Sequence, residues 1–260
     1  MKTINDLAFA QAGDQTLLLN LHFPADAPPG SGFPVIVWVH GGGWRGGDRK
    51  TPPLLALERG YVLAAIEYRL TPRATWPAQL DDCRNAVRLV REHARQYNLD
   101  PERIGAWGKS AGGHLVALLA LQSGLPANRQ APWRIRAGCD YCGPSDLELF
   151  AEPKWRGRFA LLHEVICDLL GGPIEERREL ARDASPVRFA HAQCAPLRIV
   201  HGDLDDVVPV EEAETLYRAL KAVGAATELD VARGVGHNCS TVETDAQTMK
   251  FFERTLHLPA

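Results

Sequence analysis

Ser110 sits between two glycines in Gly108-Lys109-Ser110-Ala111-Gly112. A hydroxyl is a weak nucleophile at neutral pH. It becomes useful where a base can take its proton and where donors can meet the charge that develops on the attacked carbonyl. The flanks of this pentapeptide supply a suitable setting. The short apolar run Arg103-Ile104-Gly105-Ala106-Trp107 precedes it, and the helical run from His114 to Leu121 follows it. A serine between glycines at a strand-to-helix turn is a nucleophile elbow: the turn pushes the hydroxyl out above the sheet, and the first N–H groups of the helix point at whatever the serine attacks. The chemistry expected of such a turn is acyl transfer through Ser110.

The base and the acid that orients it should lie downstream, in the order Ser, Asp or Glu, His. Of nine histidines, His237 is selected by position. It lies in the glycine-rich Arg233-Gly234-Val235-Gly236-His237-Asn238, after the last strand-like run and before the closing helical stretch. The acid is expected in His201-Gly202-Asp203-Leu204-Asp205-Asp206-Val207-Val208-Pro209, which offers three aspartates. Spacing leaves Asp203, Asp205 and Asp206 open, because loop aspartates also hydrogen-bond turn backbone. Oxyanion donors are expected from His40-Gly41-Gly42-Gly43-Trp44, where three glycines let backbone N–H groups approach closely, and from the N–H of Ala111. His40 is read as a brace for its own loop. Trp44, Trp76, Trp155 and Phe159 are candidate pocket walls, since exposed rings stack on sugars or aryl groups; core packing is the alternative for each.

The elements that must position these groups alternate along the chain. Pro34–His40 is almost wholly apolar, as a strand buried on both faces should be. Further strand-like runs are Tyr61–Ile66, Arg103–Trp107, Ile135–Cys142, Leu197–Val200 and Thr227–Val231. Helical stretches fall between them. From Gln79 to Tyr97, apolar residues at Cys83, Ala86, Val87, Val90, Ala94 and Tyr97 keep helical spacing, and Pro209–Val223 and Thr241–Leu256 are further helices. Strands alternating with helices predict an α/β fold, a mostly parallel sheet with helices on both faces. Leu17–Phe23 is expected as an antiparallel edge strand. Residues 145–193 contain no strand-like run, only short helical pieces rich in Arg and Glu, and are read as a small lid inserted into a single domain spanning 1–260.

The 260 residues are 45% hydrophobic and 23% charged, with 32 acidic and 29 basic side chains interspersed for a net charge of −3. This is the balance of a soluble globular chain, with no basic patch for nucleic acid or an anionic membrane. No stretch approaches the ~18 consecutive apolar residues of a membrane span. Met1-Lys2-Thr3-Ile4-Asn5-Asp6 does not read as a signal peptide, so a cytoplasmic enzyme is expected. The six cysteines are scattered, which suits reduced thiols, and Cys139-x-x-Cys142 is read as two core cysteines rather than half of a zinc or redox site. A small homo-oligomer is compatible with the sequence but not required by it.

Several motifs in order resemble the α/β-hydrolase superfamily, and within it esterases of the hormone-sensitive-lipase-like and bacterial feruloyl/acetyl-xylan-esterase type. They are His40–Trp44 with Gly47-Asp48, Tyr68-Arg69-Leu70-Thr71-Pro72, Trp76-Pro77-Ala78-Gln79, Leu99–Ile104 before the elbow, Ser110-Ala111-Gly112-Gly113-His114-Leu115 through it, and Tyr141–Leu147. The resemblance runs over nearly the whole chain. It implies Asp205 as the acid, Gly42, Gly43 and Ala111 as oxyanion donors, and a small-molecule ester of a short acyl group, with acetyl and feruloyl esters of sugars as examples. It implies no metal and no cofactor. An amidase of the kynurenine-formamidase-like type shares some of these elements, and a non-catalytic ligand receptor on the same scaffold is the alternative from another class. Two features depart from the pattern. A large helical cap is missing, which argues against long-chain lipids. Lys109 stands where relatives more often carry an acidic or small residue, and it either favours anionic substrates or points to solvent.

Overall fold

A computed structural model describes residues 2–26 and 28–256. Eight strands form one sheet: β1 (Lys2–Ala12), β2 (Gln15–Phe23), β3 (Phe33–Val39), β4 (Val62–Ile66), β5 (Leu99–Lys109), β6 (Ala137–Tyr141), β7 (Leu197–Gly202) and β8 (Thr227–Ala232). Their spatial order is β1-β2-β4-β3-β5-β6-β7-β8. Pairing is antiparallel from β1 to β4 and parallel from β4 to β8. This is the mostly parallel α/β sheet that the order of runs predicts, in the α/β-hydrolase arrangement that the resemblance implies.

The apolar runs become the central strands because both sheet faces are covered. Along β3, Val35, Val37 and Val39 enter one core, with Val87 and Val90 of the helix Ala78–Glu92 and the wholly buried helix Ala111–Ser123. Ile36 enters the other core, with Trp107 and with Met249 and Phe252 of the helix Val242–Leu256. The strand's period of two thus distributes its side chains to two faces.

Three details differ from the sequence reading. Leu17–Phe23 forms an antiparallel strand, but it is not at the edge: β1 lies outside it. The β1 strand escapes a period-two search because its register slips between Ile4 and Leu7 and again between Ala8 and Ala10. Asp6 takes φ +58° at the first slip, so apolar residues do not alternate along it. The helix expected over Gln79–Tyr97 stops at Glu92 and resumes as the single turn Ala94–Tyr97 after a break at His93, before Asn98 closes it in the left-handed region. Finally, β5 starts at Leu99, four residues before the apolar run, because Leu99 pairs with Phe33.

Residues 145–193 contain only helical pieces, the longest being Ala160–Leu170. Phe150, Leu162, Ile166 and Leu169 pack this segment onto the first core. Polar ties hold it as well: Arg45 donates to Asp168 at 2.6 Å and to Glu164 at 2.8 Å, and the Trp76 indole donates to Asp183 at 2.7 Å. Where the chain enters the segment, the N–H groups of Ser145 and Asp146 both donate to the buried Glu212 carboxyl, at 2.6 and 2.7 Å. Burial pushes that carboxyl up to about 7, against the pull of these donors. The folded state therefore holds a proton that the unfolded chain releases from about pH 4.5 upward, so this group's contribution to stability is full at acid pH and is lost as pH rises toward 7. The urea midpoint is expected to fall over that window, and Glu212→Gln is expected to flatten the fall. An unchanged slope in the variant would assign the effect elsewhere, for instance to Asp140, which burial also pushes up to about 7. No helix among the described residues is long and apolar enough to cross a membrane. All six cysteines are free thiols, and Cys139 and Cys142 are buried at the end of β6.

Candidate active site

Four loops leave the carboxyl ends of β3, β5, β7 and β8, where open parallel sheets gather ligands. They carry Gly41–Gly43, Ser110, Asp205 and His237 respectively. Strand adjacency brings together residues far apart in the chain.

Ser110 adopts φ +56° and ψ −122°, a conformation rare for a residue with a side chain. The turn around it is possible because its flanks lack a Cβ. A Cβ on Gly108 would lie 2.3 Å from the Gly112 carbonyl oxygen, and one on Gly112 would lie 2.1 Å from that of Val39. The Ser110 N–H donates to the Tyr141 carbonyl at 2.7 Å, which fixes the elbow to β6.

His237 Nε2 stands 3.0 Å from Ser110 Oγ, and its Nδ1 stands 2.8 Å from Asp205 Oδ2. The second carboxylate oxygen of Asp205 accepts the N–H groups of Val207 and Val208, each at 2.9 Å. Burial alone would raise the Asp205 carboxyl, but hydrogen bonds from His201, His237 and the Val208 N–H outweigh it and hold the group well below the usual carboxylate range. The other two aspartates of the loop do different things. Asp203 Oδ1 accepts the Gly234 N–H at 2.6 Å, and Asp206 is exposed.

Gly42, Gly43 and Ala111 line a cavity of about 580 Å³ beside Ser110. Among the described residues, none of their N–H groups donates to a protein acceptor. Gly42 takes φ +118°, and a Cβ there would meet the Gly46 carbonyl oxygen at 2.3 Å, so the loop can bend its amides inward only with glycine. His40 braces this loop: its Nδ1 lies 2.8 Å from the Gly41 carbonyl, and its ring stacks on Tyr68 at 4.3 Å.

The aromatic wall is narrower than expected. Trp44 lines the cavity, but Trp76, Trp155 and Phe159 do not. Trp76 is buried against His114, with ring centroids 5.8 Å apart. Trp155 stacks on Phe159 at 5.9 Å within the 145–193 segment, and Phe159 borders a separate depression with Arg158 and Asp206. These rings are used to pack the segment, the alternative open to any large aromatic. The apolar walls come from residues with no local signature: Leu161, Leu162 and Val165 of the helix Ala160–Leu170, together with Val207 and Val208. The Val207-Val208 pair, inside the loop that carries the three aspartates, is the one sequence signal for these walls.

His201 is a further group that sequence spacing did not single out. It is fully buried, with Nε2 3.2 Å from Asp205 Oδ2 and 2.9 Å from the Val208 carbonyl, so it braces that carboxylate from behind. By residue type, Cys142, Asp205 and His237 could hold a metal, since their ligand atoms lie within 4.8 Å of one another. Each is already engaged. Asp205 and His237 bond each other, and the Cys142 thiol donates to the His237 carbonyl at 3.2 Å. That thiol is pushed well up by its hydrogen bond with Cys239 and by burial, which leaves it a protonated neighbour of the base.

Comparisons with known proteins speak to the family and the fold. The BD-FAE family model matches residues 19–220. Esterase LipQ of Mycobacterium tuberculosis is 32% identical over 86% of this chain and 54% of its own length. Isoprenylcysteine alpha-carbonyl methylesterase ICME of Arabidopsis thaliana is 28% identical over 78% of this chain and 50% of its own. The chain thus spans about half the length of the curated relatives it matches. Among solved structures, a truncated carbohydrate esterase from gut microbiota superimposes with a TM-score of 0.83 at 23% identity, covering 98% of this chain and 96% of that one. The butyrate-bound esterase Est2 of Thermogutta terrifontis does so with a TM-score of 0.75 at 24% identity, covering 96% and 91%. At these identities the structural likeness speaks for the fold.

Proposed function

The chain belongs to the BD-FAE family, and from that premise we propose that it is a serine carboxylesterase acting on short-chain acyl esters. The observation that carries the reading is the unbroken chain of contacts from Asp205 through His237 to Ser110, facing amides that have no other partner among the described residues. The names of the sequence relatives, an esterase and a methylesterase, support the same reaction class.

In the reaction, His237 Nε2 takes the Ser110 proton as Oγ attacks the ester carbonyl. Asp205, ionised across the working pH range, holds Nδ1–H and stabilises the imidazolium. The tetrahedral oxyanion forms against the N–H groups of Gly42, Gly43 and Ala111. The alcohol leaves with the proton from His237, and water then hydrolyses the acyl-enzyme through the same base. Trp44, Leu162, Val165, Val207 and Val208 make an apolar acyl site, and residues 145–193 act as a small lid that supplies part of its wall.

The test is turnover by the purified chain of p-nitrophenyl esters of increasing acyl length, alongside acetylated xylo-oligosaccharides, methyl ferulate and N-formylkynurenine. Hydrolysis of acetyl and butyryl esters is expected. Turnover of the formamide alone would replace the esterase reading with an amidase.

A further inference from the structure

We propose that Lys109 and Asn238 form a clasp that positions His237 against Ser110; the proposal rests on the serine-esterase reading above. Lys109 immediately precedes the nucleophile, and Asn238 immediately follows the base. The Lys109 ammonium donates to Asn238 Oδ1 at 2.5 Å, beside the 3.0 Å contact between Ser110 Oγ and His237 Nε2. Two bonds therefore cross between the same pair of loops, one chemical and one mechanical.

The two loops are not equally constrained. The elbow is pinned by the Ser110 N–H bond to Tyr141 and by its close contact with the end of β3. The base loop is tied on the near side of His237, where Gly234 N–H reaches Asp203 and Leu204 N–H reaches the Val235 carbonyl at 2.9 Å. At His237 itself, the Cys142 thiol holds the carbonyl. Beyond it, Asn238 is exposed, and among the described residues its side chain has one hydrogen-bond partner, Lys109. Past Asn238 the buried Cys239 anchors the loop again, its carbonyl accepting from Thr244 Oγ1 at 2.9 Å, so the clasp sets the lean of the short stretch between the two anchors and, with it, the separation of Oγ and Nε2.

A lysine suits the task. Its stem spans the gap, and its charge strengthens a bond to a neutral amide. Asp245, which accepts the Ser240 and Tyr141 hydroxyls, is near enough to attract the same ammonium. Lys109 is thus a positioning residue. Lys109 also lines the cavity, but its ammonium is bonded to Asn238, so its charge is occupied by the loop rather than offered to an anionic substrate.

The test compares Lys109→Met, Asn238→Leu, the double variant and Asn238→Asp, using p-nitrophenyl acetate and the rate at which an uncharged organophosphonate labels Ser110. Both single variants are expected to lower kcat and the labelling rate about five- to tenfold, the worth of one charge-assisted bond to catalytic geometry, with KM within about twofold. The double variant should be no worse than either single one, since both remove the same bond. Asn238→Asp keeps an acceptor and should stay near the wild type. The clasp is wrong if Lys109→Met leaves kcat and labelling unchanged, if the two losses multiply, or if the effect lies in KM for a negatively charged ester. Ser110→Ala, run in parallel, separates the two claims. Full turnover there would remove the esterase reading and the clasp with it, whereas lost turnover with a silent Lys109→Met would remove the clasp alone.

Discussion

Replacing Ser110 by alanine is expected to lower kcat for p-nitrophenyl acetate by about 10⁴-fold or more while the fold persists. The expectation follows from how the parts are coupled. Without Oγ, His237 has no proton to take, and the ester carbonyl has no covalent partner in the cavity. The free amides of Gly42, Gly43 and Ala111 remain, so residual binding and weak polarisation of the carbonyl survive. This is why a small rate above that of water should persist. Folding should suffer little, because the Ser110 N–H bond to Tyr141 is a backbone bond and, among the described residues, the side chain has one hydrogen-bond partner, His237. Alanine inherits the same positive φ and its strain. Unfolding midpoints and turnover measured on the same preparation test this, and an alanine variant within tenfold of the wild type would remove the mechanism.

The second large effect separates neighbouring aspartates. Asp205→Asn is expected to cost about 10³- to 10⁴-fold in kcat, and Asp206→Asn about twofold at most. An amide at 205 can still accept the N–H groups of Val207 and Val208. It can no longer anchor Nδ1–H of His237 with a negative charge, and it favours the wrong tautomer of the ring. His201 loses its charged partner at the same time, which leaves a buried imidazole facing an amide. Asp206 is exposed. Because Asp205 is held well below the usual carboxylate range, its titration should add nothing to the acid limb of the rate profile near neutrality. Equal losses in the two variants would show that the loop, rather than the carboxylate, carries the effect.

Much of the site was legible in the sequence because it is built where strands end. Central parallel strands buried on both faces appear as apolar runs, so the ends of β3, β5, β7 and β8 could be located to within a few residues. Ser110 and His237 followed from those ends. The choice among the three aspartates did not follow from spacing. Asp203, Asp205 and Asp206 are interchangeable in composition, and only the resemblance to a family singled out Asp205. Their separation in the structure depends on which carboxylate meets the Val207 and Val208 amides and which turns to Gly234.

Other features were illegible for definite reasons. Two register slips erase the alternation of β1, so periodicity alone marks β2 as the edge. Trp76, Trp155 and Phe159 were plausible walls because aromatic residues serve equally well in cores and in sites, and composition does not distinguish the two uses. The real walls, Leu162 and Val165, sit on an amphipathic helix. Its periodicity announces a buried face but not the surface that buries it.

The sequence alone determined the order of strands and helices from β2 onward, the glycine-flanked serine and the loop that carries His237, because these depend on local sterics and on periodicity within a few residues. Tertiary structure decided which aspartate faces His237, which side chains wall the cavity, and what Lys109 touches. Each of those outcomes is a contact between segments tens of residues apart, fixed by the neighbouring strands and the packing of 145–193. No property of a single segment encodes it.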